Sequence, residues 1–312
     1  MNQHGMTGPG ESGPLVIGEA LIDIVATARD NGGAEGSTEH VGGSPANVAV
    51  GLARLAHPGT LLTQLGRDAR GERIAAHLEA ERVQLAEGSF GEAPTSTALA
   101  TLGADGAAEY VFDITWDVAD LPVGGASAVH TGSLGMFLSP GADTVQRILT
   151  AASGRVPVTL DPNIRPELLP DHAAALRRFE DTAALADLVK LSDEDAAWLY
   201  PGRSEDEVLT HLLQLGPALA VLTRGAHGAV AATAEGSVSV PARAGTVVDT
   251  IGAGDSVMAS LIASLLTHGV GWCVQHAHQV LQRAAAAASI TVSRAGAQPP
   301  TLAELDALVA AG

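Results

Sequence analysis

Apolar, strand-like runs alternate with segments of helical periodicity along most of this 312-residue chain, and that alternation restricts the folds open to it. Residues 127–131 form one such run and precede a helical pattern at 142–152, and residues 156–160 and 171–185 repeat the order. Strands separated by helices are typical of βαβ units, in which successive strands lie parallel in one sheet. The sequence therefore predicts an α/β protein with a mostly parallel central sheet and helices on both of its faces.

The alternation is interrupted after residue 94. Residues 95–102 and 109–115 have strand-like patterns, and the turn between them (GADG, 103–106) contains Asp-Gly, a strong hairpin signal. A hairpin within a βαβ series predicts a small β subdomain that projects from the main sheet and could cover a site. Three of the chain's few aromatic residues lie here, and we interpret them as a packing face of the hairpin rather than a ligand-stacking surface: Tyr110, Phe112 and Trp116.

A glycine-rich turn at residues 249–255 (DTIGAGD) carries the side chain that we expect to do the chemistry. The apolar run 256–266 follows at helical spacing, which predicts that the turn lies at a helix N-terminus with unpaired backbone N–H groups. Such a helix end binds anions. Asp255 would lie beside the anion, where its carboxylate can take a proton from a hydroxyl group that attacks a bound phosphate.

A second glycine-containing segment, residues 42–51 (GGSPANVAVG), predicts another helix N-terminus. Its two glycines permit a close backbone approach, Ser44 can cap the helix, and Pro45 fits the first turn. An ordinary capped helix explains Ser44 and Pro45, but it does not explain the glycine pair or Asn47, a poor helix former. Those residues suit a site where backbone and amide groups approach a polyol.

Polar residues also interrupt or follow several predicted strands. Loops after the carboxyl ends of parallel strands collect ligand groups, which makes Asn163, Arg165 and the chain's only lysine, Lys190, candidates for a site. Asp23 interrupts an apolar run, residues 15–25, that we interpret as one strand buried on both faces. A structural aspartate bound to a backbone amide and a carboxylate directed at substrate hydroxyls explain Asp23 equally well.

The composition excludes several partners and chemistries. A net charge of −18 repels nucleic acid and anionic lipid, and no apolar run approaches the roughly 18 residues of a membrane span. Glycine does not precede Lys190, so the chain has no Walker A loop, and the G-x-G-x-x-G spacing at 8–13 precedes a strand instead of following one. Cys273, the single cysteine, rules out an internal disulfide framework. We interpret residues 1–14 as a flexible tail on a cytoplasmic protein.

Segments 42–51 and 249–255 resemble, in residues, order and spacing, the two signatures of the ribokinase-like (PfkB) sugar kinases. Within that family, residues 18–23 (GEALID), 161–165 (DPNIR) and 189–192 (VKLS) are most similar to the fructokinase branch. The resemblance implies a ribokinase-like α/β fold with a small β lid over the sugar. The implied bounds are 13–308 for the kinase domain, and 23–41 and 94–120 (the hairpin) for the two lid segments.

The same resemblance implies a role for each matching residue. Asp255 would be the general base for a primary sugar hydroxyl, and the amides of Gly252, Ala253 and Gly254 would form the anion hole for the transferring phosphate. The other implied roles are sugar binding by Asp23, Gly42, Gly43, Asn47, Asn163 and Arg165, and nucleotide binding by Lys190, Thr223, Gly225 and Gly228.

Two metal sites are also implied. Asp249 and the carbonyl of Ile251, with carbonyls from 289–296, would hold a monovalent cation, K⁺, that orders the anion-hole loop. The family's N-x-x-E motif organises Mg²⁺ through water. Here both ends of that motif differ, because it reads Ser192 to Asp195, so that Asp195 is the residue left to hold a magnesium-bound water.

The implied activity is ATP-dependent transfer of the γ-phosphoryl group to a primary hydroxyl of a small carbohydrate, and the branch indicates fructose. Ribose, 2-keto-3-deoxygluconate and a nucleoside are alternative acceptors. A catalytically silent sugar- or nucleotide-binding protein is the alternative of another class, which the altered motif at Ser192 leaves open. The expected ligands are a sugar, ATP, Mg²⁺ and K⁺, and a lid hairpin with an exposed edge predicts a homodimer through the lid.

Overall fold

The structure is a computed structural model that describes residues 13–27, 36–102 and 108–311. The tail predicted at 1–14 therefore lies almost wholly outside the described residues, and so does the predicted hairpin turn at 103–106. The strands of the described part are β1 (Leu15–Ile17), β2 (Leu21–Thr27), β3 (Gly36–Gly42), β4 (Thr60–Leu62), β5 (Leu65–Gly66), β6 (Gln84–Leu85), β7 (Phe90–Gly91), β8 (Thr97–Leu102), β9 (Ala108–Asp113), β10 (Val129–Gly132), β11 (Val158–Asp161), β12 (Leu188–Ser192), β13 (Leu219–Thr223), β14 (Ala229–Thr233) and β15 (Gly236–Val240).

In the described part, the first seven helices lie between strands in chain order, whereas the last four follow the last strand without an intervening strand. Side-chain caps begin several of them, as where Asp68 accepts a hydrogen bond from the amide of Gly71 at 2.8 Å. No helix in the described part is long and apolar enough to cross a membrane. The helices are α1 (Ser44–Arg54), α2 (Ala69–Ala80), α3 (Ser133–Phe137), α4 (Gly141–Ala152), α5 (His172–Ala183), α6 (Asp193–Leu199), α7 (Glu205–Leu215), α8 (Ala253–His268), α9 (Val270–Gln275), α10 (Ala277–Val292) and α11 (Leu302–Ala310).

The main sheet has nine strands in the order β15-β14-β13-β12-β11-β10-β1-β4-β6. Neighbours from β13 to β6 are parallel, whereas the two pairings of β14, with β13 and with the edge strand β15, are antiparallel. Alternate side chains of a strand enter different cores. Val16 packs with α1, α8 and α10, whereas Leu15 and Ile17 pack with α4, α5 and α7 on the other face. The predicted mostly parallel sheet with helices on both faces is confirmed.

The prediction of one strand over residues 15–25 is wrong, because this run belongs to two sheets. The chain leaves the main sheet after β1 and enters the second sheet with β2. Packing fixes the turn between them: a Cβ at Gly18 would lie 2.2 Å from Cγ of Pro45, and the amide of Ala20 donates to Oγ1 of Thr63 at 3.0 Å. Hydrophobicity did not reveal the break because apolar residues are buried on both sides of it.

The second, smaller sheet has four strands in the order β3-β2-β8-β9. β8 and β9 pair antiparallel along their whole length, as the hairpin prediction requires. Asp68 fixes the root of β8, because its carboxylate accepts hydrogen bonds from the amide and Oγ1 of Thr95 at 2.8 and 2.7 Å. The segments 23–41 and 94–120 supply these strands, and their function as a lid stays a prediction.

Trp116 does not pack on the hairpin as predicted. It is 4% exposed, and its Nε1 donates to the carbonyl of Gly135 at 2.8 Å. A Cβ at Gly141 would lie 2.4 Å from its ring, so the absence of side chains there makes room for the indole. The ring therefore joins the end of the small sheet to α3 and α4 of the main domain.

Candidate active site

Asp255 lies in the first turn of α8, as predicted. The helix begins after Gly252, whose φ of +75° is in the left-handed region. A Cβ at Gly252 would also lie 2.7 Å from Cβ of Ala297, so conformation and space both require glycine here. This turn directs Asp255 into the protein, where its side chain is 9% exposed.

Free backbone donors surround Asp255. Among the described residues, no group accepts a hydrogen bond from the amides of Gly252, Gly254 or Asp255, whereas the amide of Ala253 donates to the carbonyl of Thr250 at 3.2 Å. Unpaired N–H groups at the positive end of a helix attract an anion. The anion hole formed by the amides of Gly252, Ala253 and Gly254 stays a prediction. In this structure the amide of Asp255, instead of that of Ala253, is the third free donor.

Two side chains of α1 hold the Asp255 carboxylate. Oγ of Ser44 donates to Oδ1 at 2.7 Å, and Nδ2 of Asn47 donates to Oδ2 at 2.8 Å. The expectation that Ser44 caps its own helix is wrong, because Gly43, with φ of +105°, occupies the N-cap and makes no side-chain cap. The hydroxyl of Ser44 is therefore available to orient Asp255.

The environment of Asp255 acts on its proton affinity in opposite directions. Burial raises the pKa of Asp255, while hydrogen bonds from Ser44 and Asn47 and the charges of Lys190 and Arg165 lower it. Burial makes the carboxylate a stronger proton acceptor, and its donors oppose the rise in pKa and orient the group. This arrangement can accept a proton from a hydroxyl group that lies next to the anion site.

The sugar-side candidates of the first signature lie together. A Cβ at Gly42 would lie 1.9 Å from Oδ2 of Asp23, and one at Gly43 would lie 2.4 Å from the carbonyl of Glu19. Burial raises the pKa of Asp23, and the charge of Arg165 opposes that rise. No described residue donates a hydrogen bond to the Asp23 carboxylate. Among the described residues, Asp23 therefore lacks the backbone amide partner that a structural role would require.

Arg165 lies among several carboxyl groups. Its positive charge lowers the pKa of Glu19, Asp23 and Asp255 against the effect of burial. Oδ1 of Asn163 accepts a hydrogen bond from Nη1 of Arg165 at 2.8 Å. The two candidates from the loop after β11 thus act together, because Asn163 orients the guanidinium that faces the acidic groups.

Lys190 lies within β12 and is buried. Its Nζ lies 2.7 Å from Oδ2 of Asp161, and the two side chains are 5% and 2% exposed. A Cβ at Gly254 would lie 3.1 Å from Nζ, which places the ammonium against the first turn of α8. Burial raises the pKa of Asp161 to about 6, although Lys190 lowers it.

Asp195 completes the capping box of α6, whose N-cap is Ser192, and also fixes the loop after β11. Its Oδ2 accepts from the amide of Ser192 at 2.9 Å, its own amide donates to Oγ of Ser192 at 3.0 Å, and its Oδ1 accepts from the amide of Ile164 at 2.8 Å. The described residues contain no group of three or more His, Cys, Asp or Glu that could hold a metal. Mg²⁺ usually keeps several waters and binds one or two carboxylates with substrate phosphates, so the remaining lone pairs of Asp195 fit a contact through water.

Asp249 ties the loop before α8 to the C-terminal part of the chain. Its Oδ1 accepts from the amide of Ile251 at 3.0 Å and its Oδ2 from the amide of Gly296 at 2.8 Å. These hydrogen bonds hold the pKa of Asp249 below its usual value. The loop is thus anchored where a cation was predicted, and the binding of that cation by Asp249 and Ile251 stays a prediction.

The remaining nucleotide-side candidates lie at the end of β13. Oγ1 of Thr223 donates to the carbonyl of Leu191 at 3.4 Å, which joins β13 to β12. A Cβ at Gly228 would lie 2.1 Å from the carbonyl of Val240, whereas nothing lies within 4 Å of one at Gly225. The backbone of Gly225 is therefore open to a ligand, and Gly228 is required by packing.

Glu19 is a buried carboxyl group at this site that none of the sequence patterns indicated. The side chain is 4% exposed, and its Oε2 accepts from the amide of Gly135 at 3.3 Å. Burial raises its pKa to about 7, and a hydrogen bond from Ser133 and the charge of Arg165 oppose the rise. An acidic residue directly after an apolar strand was the available signal.

Several known proteins are similar to this chain over most of its length. A fructokinase of Rhizobium leguminosarum bv. trifolii is 36% identical over 262 residues, which cover 80% of this chain and 79% of the relative. A fructokinase of Klebsiella pneumoniae is 32% identical over 271 residues, with 82% and 85% covered. The crystal structure of the Xylella fastidiosa fructokinase with bound ATP has a TM-score of 0.81 at 25% identity and covers 96% of this chain and 98% of its own.

A putative ribokinase II of E. coli, in complex with ATP and Mg²⁺, has a TM-score of 0.81 at 23% identity and covers 96% of this chain and all of its own, 100%. At that identity the likeness shows the fold alone, which is ribokinase-like. The family model of the pfkB carbohydrate kinases matches residues 14–304, nearly all of the sequence. The chain therefore belongs to the pfkB family of carbohydrate kinases.

Proposed function

We propose that this protein is a fructokinase, which transfers the γ-phosphoryl group of ATP to a primary hydroxyl of fructose. The observation that carries the proposal is the Asp255 carboxylate, buried beside free amides and held by Ser44 and Asn47. Phosphoryl transfer to an alcohol needs such a base next to an anion site. The fructokinase names of relatives at 36% and 32% identity support fructose as the acceptor.

Each candidate residue has a defined task in this reaction. Asp255 takes the proton of the sugar hydroxyl while the hydroxyl oxygen forms its bond to the γ-phosphorus, and the bond to the bridging oxygen of ADP breaks. The free amides of Gly252 and Gly254 stabilise the charge on the transferring group. Asp195 would hold a water of the Mg²⁺ that accompanies ATP, and that ion would neutralise further charge on the phosphates. The sugar is held by Asp23, Gly42, Gly43, Asn47, Asn163 and Arg165, and the nucleotide by Lys190, Thr223, Gly225 and Gly228.

We also propose that K⁺ binds at Asp249 and the carbonyl of Ile251. The support is the anchoring of that loop by the Asp249 carboxylate on two backbone amides. Turnover in KCl is expected to exceed turnover in tetramethylammonium chloride of equal ionic strength, and equal rates in the two salts would contradict a K⁺ site.

We also propose a cytoplasmic location, where ATP is available. The protein is further proposed to form a homodimer through the small sheet. β9 is an edge strand of the small sheet, and Val111 on it is 61% exposed. Apolar side chains on an uncovered edge favour pairing with a second copy. Sedimentation velocity is expected to give a dimer that Val111→Lys dissociates, and a monomeric wild type would contradict this interface.

A panel of acceptors tests the main proposal. Fructose, glucose, ribose, 2-keto-3-deoxygluconate and adenosine are each supplied with Mg-ATP, and ADP release is followed together with the mass of the phosphorylated product. We expect the highest kcat/KM with fructose. A higher value with another acceptor would replace fructose, and calorimetric binding of sugar without turnover of any acceptor would indicate a binding protein.

A further inference from the structure

His40 and Asp23 lie side by side on the small sheet. The register of β2 and β3 makes them direct cross-strand partners, so both side chains project from the same face. The neighbouring pair, Ile22 and Val41, projects from the opposite face and packs with the core. Burial raises the pKa of Asp23, and the charges of Arg165 and His40 lower it. The face away from the core therefore brings an imidazole and a guanidinium near one carboxyl group.

Both side chains of this pair lack a partner in the described part of the chain. Asp23 and His40 form no hydrogen bond or ion pair there, either with each other or with a third side chain. Directly opposite residues have Cβ atoms about 5 Å apart, so one small group can reach both. A carboxylate only accepts hydrogen bonds and an imidazole N–H donates, whereas a hydroxyl group does both. One hydroxyl can therefore donate to Asp23 and accept from His40 at the same time.

The strand that carries His40 is anchored from its other face. The carboxylate of Glu39 accepts a hydrogen bond from Nε of Arg70 in α2 at 3.1 Å, and the Glu39 carbonyl accepts one from Nη2 of Arg73 at 2.6 Å. Successive residues of a strand project to opposite faces, so these contacts hold His40 on the face of Asp23. The imidazole is thus carried by an anchored strand, and its exposed side chain is open to a ligand.

The face with Asp23 adjoins the catalytic base. A Cβ at Gly42 would lie 1.9 Å from Oδ2 of Asp23, and the helix that begins just after this glycine holds Asp255 through Ser44 and Asn47. An acceptor bound beside Asp255 therefore lies within reach of the small sheet. Because Asp255 takes the proton of the reacting hydroxyl, the groups on the small sheet bind a different hydroxyl of the same acceptor.

We propose that His40 is a specificity-determining residue that contacts the acceptor and, with Asp23, binds one of its non-reacting hydroxyl groups. The inference rests on the proposed kinase function and adds to its sugar-binding residues a side chain outside both glycine-containing signatures. The acceptor hydroxyl donates to the Asp23 carboxylate and accepts from an imidazole N–H. An acceptor with hydrogen at that carbon leaves both groups unsatisfied, and the site therefore selects against it.

His40→Phe keeps a ring on the strand and removes both ring nitrogens. We expect KM for fructose to rise about three- to tenfold, the effect of losing one hydrogen bond, while kcat stays within about twofold of wild type. A contact to a non-reacting hydroxyl is made equally before and during the reaction, so its loss weakens binding alone. His278→Phe, at an exposed position of α10, is the control and should alter neither constant. An unchanged KM in His40→Phe would overturn the proposal.

Analogues of the acceptor test the contact directly. Wild type and His40→Phe are compared on fructose and on fructose analogues that each lack one non-reacting hydroxyl. For the analogue without the bound hydroxyl, we expect the two proteins to have the same KM, because the contact is absent from both. If the ratio of the two KM values were the same for fructose and every analogue, His40 would act on the strand or on Asp23 without touching the acceptor, which would refute the proposed contact.

The outcomes also separate this inference from the proposed function. Phosphorylation of fructose with a KM that His40→Phe does not change would reject the role of His40 alone. If another polyol is the preferred acceptor, the same comparison is made with that polyol and its deoxy analogues, and the expected result for His40 is the same. Absence of both turnover and calorimetric sugar binding would reject the proposed function and this inference with it.

Discussion

At the scale of single residues, the groups around Asp255 have opposing effects on its pKa. Burial favours its protonated form, whereas Ser44, Asn47 and two cationic side chains favour the carboxylate. A base must be ionised before the reaction and a strong enough acceptor during it, so both influences are needed. The hydroxyl of Ser44 therefore donates to Asp255 and does not cap α1, the helix that contains Ser44.

Asp255→Asn keeps the size of the side chain and removes the base. We expect kcat to fall by at least about 10², because a general base contributes roughly 10² to 10⁴ in rate, while binding of fructose measured by calorimetry survives. Asp181→Asn, the same change on the exposed surface of α5, is the control and is expected to leave kcat unaltered. Near-normal turnover of the Asp255 variant would remove this residue from the base role.

Ser44→Ala removes one donor to the Asp255 carboxylate. Because the Ser44 hydrogen bond lowers the pKa of Asp255, its loss raises that pKa, and the base becomes protonated at a higher pH. We expect the acidic limb of the pH–kcat profile to move up by about one unit, the equivalent of a hydrogen bond to a charged group. Ser237→Ala, at an exposed serine, should leave the profile in place, and an unmoved limb in Ser44→Ala would contradict the role of this donor.

At the scale of elements, the site is made where helices begin and parallel strands end. α1 and α8 bring their first turns together, and Glu19 from the loop after β1, Asp161 at the end of β11 and Lys190 within β12 lie beside them. Helix starts supply free N–H groups, and strand ends supply side chains directed past the sheet. Two regular features of the fold therefore meet at one place.

Gly252→Ala tests the turn that starts α8. An alanine there meets both a left-handed φ of +75° and a clash with Ala297, so we expect a loss of stability and a fall in kcat as the free amides move. Gly269→Ala is the matched control at the other end of α8, because its φ is +83° and nothing lies within 4 Å of its added Cβ. Urea unfolding is expected to show a loss of about 1 to 2 kcal/mol in the control, with unchanged kcat. Equal kcat in the two variants would contradict the role of the turn.

At the scale of the whole molecule, two apolar cores lie on opposite faces of the main sheet, and buried polar groups lie together at one end of that sheet. Glu19 is the buried acid at that end: it joins the end of β1 to the start of α3 and interacts with Arg165. Folding must therefore desolvate a carboxyl group as part of assembling the domain. The cost of doing so depends on pH.

Glu19→Gln removes this dependence. The pKa of Glu19 is about 7 in the folded protein against an ordinary value of 4.5, so the folded state holds a proton that the unfolded chain has lost between these pH values. The stabilising contribution of the protonated group is complete below about pH 4.5 and is lost as pH rises through 7. Relative to Glu19→Gln, wild type is expected to lose a few kcal/mol of unfolding free energy from pH 4.5 to 8, at about 1.4 kcal/mol per pKa unit. Urea unfolding across this range measures the difference, Glu167→Gln at the exposed surface is the control, and a difference that does not vary with pH would contradict the buried charge.

Much of the fold was predictable because its signals are local. Strand and helix alternation predicted the main sheet, and glycine-containing segments followed by apolar helical patterns predicted the starts of α1 and α8. The division of residues 15–25 between two sheets was not predictable, because it depends on Pro45 packing over Gly18. A hydrophobic pattern records that a residue is buried, and it does not record which sheet buries it.

For the candidate site, the sequence by itself determined which residue types were available and which of them follow a strand or begin a helix. Only the tertiary structure decided their partners: Ser44 and Asn47 bind a carboxylate more than 200 positions away, with separations of 211 and 208 residues. It also revealed that Lys190 pairs with Asp161 beside Gly254. Caps and periodicities arise between neighbours in the chain, whereas these contacts exist because two helices and two strands, β11 and β12, pack together in the folded chain.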